Sequence, residues 1–503
     1  MYTEQAWIYK RAALSQTKTA LIDSCTGIKW SYEELTSQIS KWSQYFRQQD
    51  YRKGDRIVVL SQNRIELFAI LFACGMNGLI YVPLNFRLSK RELQYILDDC
   101  KPVLIICDEE HQPIGEAFSD ISLALITKTL EFSVGPSTLL KWSATDPWMI
   151  IYTGGTTGKP KGVVLSFNAV NWNALNTITS WGLNDTDCTL NYMPMFHTGG
   201  VNALCIPILM AGGTVVIGSR FQAEEALRAL NTYKTTISLF VPTMYQTMLE
   251  TEYYKTATFP TVKVFLAGGA PCPHSIYDRF QEKGILFKEG YGLTEAGPNN
   301  FYIDSSLAYS KKGSVGKSML FNDVKIINGE GLECGVDEVG ELYISGKHLF
   351  THYWNNENET EHTLRDGWLR SGDLAKFDRD GYYYIVGRKK EMIITGGENV
   401  YPQEVEQCLL LHKHVREAAV IGVSDKKWGE CVTAFVCPTA PTLSFEEELI
   451  SHCKNYLGSY KVPKKIIFVE ELPRTDVGKI DKKKLYELAM EEANIVTEKR
   501  GSV

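Results

Sequence analysis

Between Trp30 and Ile106 the sequence alternates between two hydrophobic periods, and this alternation narrows the possible architectures more than any other feature of the chain. "SYEELTSQISKWSQYF", "IELFAILFACGM" and "SKRELQYILDDC" carry apolar residues at helical spacing, whereas "DRIVVLSQN", "LIYVPLN" and "VLIICD" are short apolar runs. A strand that is apolar on both faces needs cover on both, and the intervening helices supply it. The pattern predicts parallel sheets sandwiched by helices. Ser89 followed by Glu92 has the spacing of a capping box and predicts the start of the third helix.

A second alternating block runs from Trp148 to about Gly290, with "TTISLFVPT" and "VKVFLAGGA" as its clearest buried strands. From Val339 to Ile385 short strands and turns take over, and "DRDG" predicts a hairpin turn between Phe377 and Tyr382. Beyond "GRKKEMI" come the helix "PQEVEQCLLLH", strands "REAAVIGV" and "TAFVCPT", the helix "FEEELISHCKNYL" and the strand "KKIIFVEEL". They make a self-contained unit of ordinary domain size. At 503 residues the chain exceeds one hydrophobic core. The expected fold is α/β: a large N-terminal domain of parallel αβα sheets plus a β-rich subdomain over residues 1–388, a hinge at 389–391, and a small mobile α+β domain over 392–503.

A net charge of −6 over this length argues against nucleic acid as the main partner, and the short lysine groups near the C-terminus read as solvated surface. "MYTEQAWIYKRAALSQ" lacks the basic-then-apolar order of a secretory signal. The uncharged stretches Leu67–Phe86 and Cys188–Ser219 are interrupted by glycines and prolines, so they read as buried core rather than membrane spans. Twelve scattered cysteines without a C-x-x-C pair predict reduced thiols, a cytoplasmic location and no structural zinc.

The stretch "IYTGGTTGKPKGVV", Ile151–Val164, has the composition of a phosphate-binding loop: glycines admit an anion to the backbone, hydroxyls donate, and lysines neutralise. It is not a Walker A loop, because Pro160 follows Gly158-Lys159 and Thr153 stands where the first glycine belongs. "GYGLTE" is not a dinucleotide fingerprint, because Glu295 occupies the third glycine position. Lys159 and Lys161 read equally well as phosphate ligands or as solvated loop charges.

Six further stretches follow in order: "MPMFHTGG" from Met193, "AGGAP" from Ala267, "GYGLTE" from Gly290, "SGDL" from Ser371, "GRKKEMIITGGENVYPQEVE" from Gly387 and "PRTDVGKI" from Pro473. Together they closely resemble the adenylate-forming superfamily of acyl-CoA synthetases, peptide synthetase adenylation domains and luciferases, over essentially the whole chain. The resemblance implies ATP, magnesium and CoA. It implies that Thr153, Gly154, Gly155, Thr156, Thr157 and Gly158, with Lys159 and Lys161, hold the outer phosphates. Gly268, Gly269, Ala270, Pro271, Tyr291 and Gly292 would border the nucleotide, with Tyr291 against adenine. Thr294 would donate to the α-phosphate, Glu295 would face the magnesium, and Asp373 would accept the ribose hydroxyls with Arg388 nearby.

The same resemblance makes Lys479 the cation that bridges the substrate carboxylate and the α-phosphate, Lys390 the pivot of the C-terminal domain, and Gly396, Gly397, Glu398 and Asn399 the lining of the pantetheine passage. His197, Thr198, Gly199, Asn202, Val241, Pro242 and Gly268 would surround the acid, although His197 also reads as a core histidine. Phe196-His197 replaces the Phe-Asp of amino-acid-activating relatives, which disfavours an amino acid. Cys188–Ser219 and Phe240–Leu249 contain no Lys, Arg, Asp or Glu, so the expected acid is apolar, fatty or aryl. The expected activity is an AMP-forming acid–CoA ligase of fatty acid metabolism. The alternatives are an o-succinylbenzoate–CoA ligase and an acyl-AMP ligase that loads a carrier protein.

Overall fold

The computed structural model describes residues 6–127, 143–154, 159–425, 427–440, 445–475 and 479–500, with 493–500 described by backbone alone. Contacts divide the chain into a larger unit of residues 1–269, 277–324 and 343–370 and a smaller one of 270–276, 325–342 and 371–503.

The larger unit contains two seven-stranded sheets. One runs in the order Phe287–Glu289, Val264–Ala267, Ile237–Phe240, Cys188–Asn191, Thr214–Ile217, Thr19–Asp23, Lys29–Ser31, and only its last pair is antiparallel. The other runs His352–Tyr353, Lys161–Ser166, Pro147–Thr153, Ile80–Pro83, Arg56–Leu60, Leu104–Cys107, Ser122–Leu125. It is parallel from Ser122–Leu125 through Pro147–Thr153 and antiparallel beyond. The expected alternation is present, with helices at Tyr32–Gln48, Glu66–Asn77 and Lys90–Cys100 between strands. The capping box at Ser89 forms: its hydroxyl accepts from the Glu92 N–H, and the Glu92 carboxylate accepts from the Ser89 N–H at 2.9 Å. Ser31 and Glu34 repeat the device one helix earlier.

Both uncharged stretches are core. Leu67–Asn77 is buried along its whole length and leads through Gly78 into the buried strand Ile80–Pro83. Cys188–Ser219 holds two parallel strands and the short helices Thr198–Asn202 and Cys205–Ala211. Among the described residues no helix is long and apolar enough to cross a membrane. Ten of the twelve cysteines are buried and none forms a disulfide. Before the first expected strand lie a helix, Trp7–Leu14, and the strand Thr19–Asp23, which pairs with Thr214–Ile217 far along the chain.

The smaller unit shows the expected hairpin: Phe377 pairs with Tyr383, and the Asp378 carboxylate accepts from the Asp380 and Tyr382 N–H groups across the turn. Its C-terminal part is a sheet in the order Glu398–Val400, Ile393–Thr395, Gly429–Pro438, Val415–Asp425, with Lys465–Phe468 parallel to Gly429–Pro438. Side chains alternate across it. Val420, Val432, Ala434 and Val436 pack with Val405, Leu409 and Leu449 of two helices. Ala419, Ile421, Phe435 and Cys437 pack with Leu485 and Ala489 of the helix Lys482–Arg500. That last helix covers a face the sequence reading left open. The lysine group at its start is only partly solvated, since Lys482 is held between Glu391, at 3.0 Å, and Glu406, at 3.5 Å.

Replacing Ser89 by Ala removes the reciprocal cap and lowers stability by about 1 kcal/mol, whereas Ser89→Asp retains most of it. A shift of the urea midpoint for the alanine variant alone is the expected outcome.

Candidate functional site

Four neighbouring parallel strands of the first sheet end at one edge. Cys188–Asn191, Ile237–Phe240, Val264–Ala267 and Phe287–Glu289 lead respectively to the segment before His197, to Val241-Pro242, to Gly268-Gly269 and to Gly290-Tyr291. The carboxyl edge of parallel strands is where α/β folds bind ligands. Spacing is tight at Gly268, where a methyl carbon would lie 3.2 Å from Leu239 Cδ1, and Gly269 adopts φ +83°, which side chains rarely take. His197 precedes the helix Thr198–Asn202, its ring 4.7 Å from that of Phe196. Thr198 Oγ1 accepts from Asn202 Nδ2 at 3.0 Å, and Asn173 Nδ2 donates to the Asn202 carbonyl. Asn202 Oδ1 is buried with no hydrogen-bond partner among the described residues. Gly199 keeps space beside it, the nearest contact of an added methyl being Met193 Cε at 3.9 Å.

The glycine- and threonine-rich stretch joins the antiparallel strands Pro147–Thr153 and Lys161–Ser166, with Thr153 paired to Lys161. The two strands it joins form a hairpin rather than a strand running into a helix. Gly154 is exposed and Lys159 reaches the Tyr95 ring, at 5.8 Å. Gly155, Thr156, Thr157 and Gly158 lie outside the described residues. Lys161 forms an ion pair with Glu359 and lies 5.4 Å from the centre of the Tyr353 ring, so its charge anchors the base of the hairpin.

Glu295 lies in a short 3₁₀ turn, Thr294–Ala296, that follows Tyr291 and Gly292. Gly292 passes so close to the next part of the loop that a methyl carbon on it would stand 2.2 Å from the Pro298 carbonyl carbon. Asn300 closes the loop: its N–H donates to the Tyr291 carbonyl, its amide nitrogen to the carbonyls of Ala296 and Gly297, and its Oδ1 faces His348 Nε2 at 2.9 Å. With the amide nitrogen committed to two carbonyls, Asn300 Oδ1 accepts and His348 Nε2 donates. Burial pushes the His348 imidazole down to about 4, so it stays neutral. Tyr353, absent from the sequence reading, donates its hydroxyl to Glu295 Oε1 at 2.7 Å. Glu295 Oε2 has no hydrogen-bond partner among the described residues, which also contain no cluster of three metal-ligating side chains. One half-buried carboxylate fits magnesium, a hard cation that takes one or two protein carboxylates and otherwise phosphate and water.

In the smaller unit, antiparallel pairing sets Asp373 opposite Arg388, and Arg388 Nε meets Asp373 Oδ1 at 2.7 Å. The aspartate is almost fully buried, whereas the arginine is half exposed. The Lys479 carbonyl accepts from the Thr475 N–H at 2.7 Å, and a bridge between Arg474 and Ile480 closes the loop that presents this lysine. Its ammonium is pushed below the usual lysine range, first by desolvation among the surrounding groups and then by the Arg388 guanidinium, against the pull of Asp373 and Glu391. Three of the expected nucleotide-binding side chains are thereby brought together.

At the expected hinge, Lys389 pairs with Glu341 at 2.8 Å and Glu391 with Lys482, while Lys390 forms no ion pair among the described residues. Gly396 and Gly397 form the two-residue turn of a hairpin in which Thr395 pairs with Glu398 and Ile394 with Asn399. Their φ values of +61° and +88° are those a primed turn requires of both residues, which accounts for the glycines.

The sequence profile of the family described as AMP-binding enzyme matches residues 8–354, and that of the AMP-binding enzyme C-terminal domain matches 404–479. A feruloyl-CoA synthase of an Amycolatopsis species is 35% identical over 476 residues, covering 94% of this chain and 96% of its own. A 2-succinylbenzoate–CoA ligase of Bacillus cereus is 33% identical, covering 98% and 100%. Among solved structures, the o-succinylbenzoate coenzyme A synthetase of Bacillus subtilis in complex with its acyl-adenylate superposes with a TM-score of 0.86 at 30% identity, covering 94% and 96%. The same enzyme in complex with ATP and magnesium gives 0.85, covering 94% and 98%.

Asp373→Ala is expected to weaken ATP and AMP binding alike, measured by calorimetry, because both carry the ribose. The lowered Lys479 pKa sets the sign of a pH effect: were this lysine the cation that the resemblance implies, its charged form would be the useful one, and the alkaline fall in kcat/KM for pyrophosphate exchange would come below the ordinary lysine range. In Lys479→Arg, which stays charged, the remaining activity lacks that fall.

Proposed function

The chain belongs to the family of AMP-binding enzymes and is an ATP-dependent acid–thiol ligase working through an acyl-adenylate, and we propose that its acid is an apolar monocarboxylate, aryl or fatty, handed to CoA. The observation that carries this choice of acid is the edge of four parallel strands described above. The segments that leave it, within Cys188–Ser219 and Phe240–Leu249, are largely buried and bring no Lys, Arg, Asp or Glu, His197 being their one basic side chain. A second carboxylate buried there would lack a charged partner. The relatives named above are CoA ligases, so CoA rather than a carrier protein is the acceptor in this reading.

In the proposed reaction the acid's carboxylate attacks the α-phosphorus in line with the departing pyrophosphate. Thr153 and the hairpin after it hold the outer phosphates, Thr294 donates to the α-phosphate, and Asp373 and Arg388 fix the ribose. Glu295 would hold magnesium, which when bound would supply charge neutralisation for the departing pyrophosphate. Lys479 stabilises the charge that develops between carboxylate and α-phosphate, where a preorganised cation contributes most. Residues 392–503 then rotate about Lys390, and Gly396–Asn399 border the entry of the CoA thiol, which displaces AMP. No side-chain nucleophile takes part.

Hydroxylamine trapping of adenylates across a panel of acids tests the choice of acid. Cinnamic-type aryl acids or fatty acids are expected to give hydroxamate and to release pyrophosphate, while free amino acids give none. Turnover confined to an amino acid or to a diacid such as o-succinylbenzoate would replace this reading. Separate assays of the two half-reactions test the residues. Lys479→Ala slows adenylation by about a hundredfold or more while thioester formation from preformed adenylate stays near the parent rate. Lys390→Pro does the reverse, because proline fixes φ at the pivot. Equal loss of both half-reactions in Lys479→Ala would remove this lysine from its role.

A further inference from the structure

Glu295 is fixed at two points by one short segment. Its carbonyl accepts from the Phe350 N–H at 2.8 Å, and its carboxylate accepts from the Tyr353 hydroxyl at 2.7 Å. That segment is in turn bonded to the strand that leaves the glycine-rich hairpin. The Thr351 N–H donates to the Val164 carbonyl at 3.0 Å, the Trp354 N–H donates to the Gly162 carbonyl at 2.7 Å, and Tyr353 pairs with Val163. On the other side the Tyr353 N–H donates to Thr360 Oγ1 at 2.9 Å, in the helix whose Glu359 holds Lys161. Tyr353 therefore touches both features assigned to the polyphosphate: the base of its hairpin through Lys161, and the glutamate through its hydroxyl.

The direction of the hydroxyl bond is settled by chemistry. Tyr353 is buried, and a phenol facing a carboxylate at 2.7 Å donates its proton while the carboxylate can only accept. A carboxylate with Oε1 held in this way offers Oε2 in one direction. We propose that Tyr353 is a positioning residue for the metal carboxylate: it keeps Glu295 in register with the base of the glycine-rich hairpin at Lys161–Val164, so that the carboxylate is already aimed when the cation arrives. This rests on the assignment of Glu295 to magnesium in the proposed function. Tyr353 touches no reacting atom. Its effect is to spare the carboxylate the ordering that metal binding would otherwise demand, as hydrogen-bonded partners of metal ligands do.

The test measures metal binding without turnover. Manganese is titrated by electron paramagnetic resonance into enzyme carrying α,β-methylene-ATP, which blocks reaction at the α-phosphorus. Tyr353→Phe keeps the ring, its contact with Phe350 and its place under Lys161, and removes only the hydroxyl. The expected result is a roughly tenfold or greater loss of manganese affinity, with metal-free nucleotide affinity and the melting temperature unchanged. The magnesium half-saturation for adenylation rises in parallel, while the CoA step from preformed adenylate does not change. Adding Tyr353→Phe to Glu295→Gln should then cost nothing further.

Unchanged manganese affinity in Tyr353→Phe, with Glu295→Gln impaired, overturns the positioning role and leaves the glutamate assignment standing. Unchanged affinity in Glu295→Gln overturns that assignment and this inference with it. A Tyr353→Phe enzyme that loses metal-free nucleotide binding and melts lower has lost a structural tyrosine, which also overturns the inference.

Discussion

Backbone hydrogen bonds between four parallel strands set the spacing on which the rest of the larger unit's candidate site depends. Phe240 lies opposite Ala267, and Ala267 opposite Glu289, so these three strands end level with one another. Neighbouring strands lie about 4.8 Å apart, which places the loops after them side by side at nearly atomic contact. Antiparallel neighbours would send every second loop to the opposite edge and scatter Val241, Gly268 and Tyr291. The level ends also explain the residue types. At Gly268 an added methyl carbon would be 3.2 Å from Leu239 Cδ1 of the neighbouring strand, and at Gly292 there is no room for one at all.

What was legible in the sequence is what local periodicity encodes. Helices such as Lys90–Cys100 combine a cap with an apolar stripe, and strands such as Leu104–Cys107 are apolar throughout, so each declares itself within a dozen residues. Thr19–Asp23 was missed because its partner, Thr214–Ile217, lies nearly two hundred residues away, and five residues without that partner carry little signal. The hairpin around the glycine-rich loop was missed for a related reason. An apolar run does not reveal whether its neighbour is parallel, and the reversal at Lys161–Ser166 is a property of the sheet. The boundary expected at 389–391 falls inside a 3₁₀ turn, Lys389–Glu391, while the compact smaller unit takes in chain on both sides of it.

Side-chain roles were legible where one residue type serves one purpose, and obscure where the role depends on a partner remote in sequence. Asp373 and Arg388 were expected near one ribose, and the antiparallel register makes them a direct ion pair. Lys482 sits in a lysine-rich run that composition assigns to solvent, yet Glu391 and Glu406 hold it. Tyr353 occurs in "THYWNNENET", a polar stretch with neither periodicity nor a recognisable cluster, and only folding brings it to Glu295. Residues that orient other residues have no composition of their own, which is why the sequence pointed to ligands before it pointed to their supports.

The smaller unit has a charge arrangement that favours an anion. A carboxylate as buried as that of Asp373 is costly unless a cation compensates it, and Arg388 does so at 2.7 Å. Lys479 then adds a second positive charge beside one already paired, and its pKa falls first through desolvation by burial and then through the nearby Arg388 guanidinium. Asp373 and Glu391 pull the other way without cancelling it. A phosphate group brought to this place meets two cations that repel each other, so part of its binding free energy is relief of that repulsion. In the proposed reaction this relief is greatest while the triphosphate is present and smaller once pyrophosphate has gone.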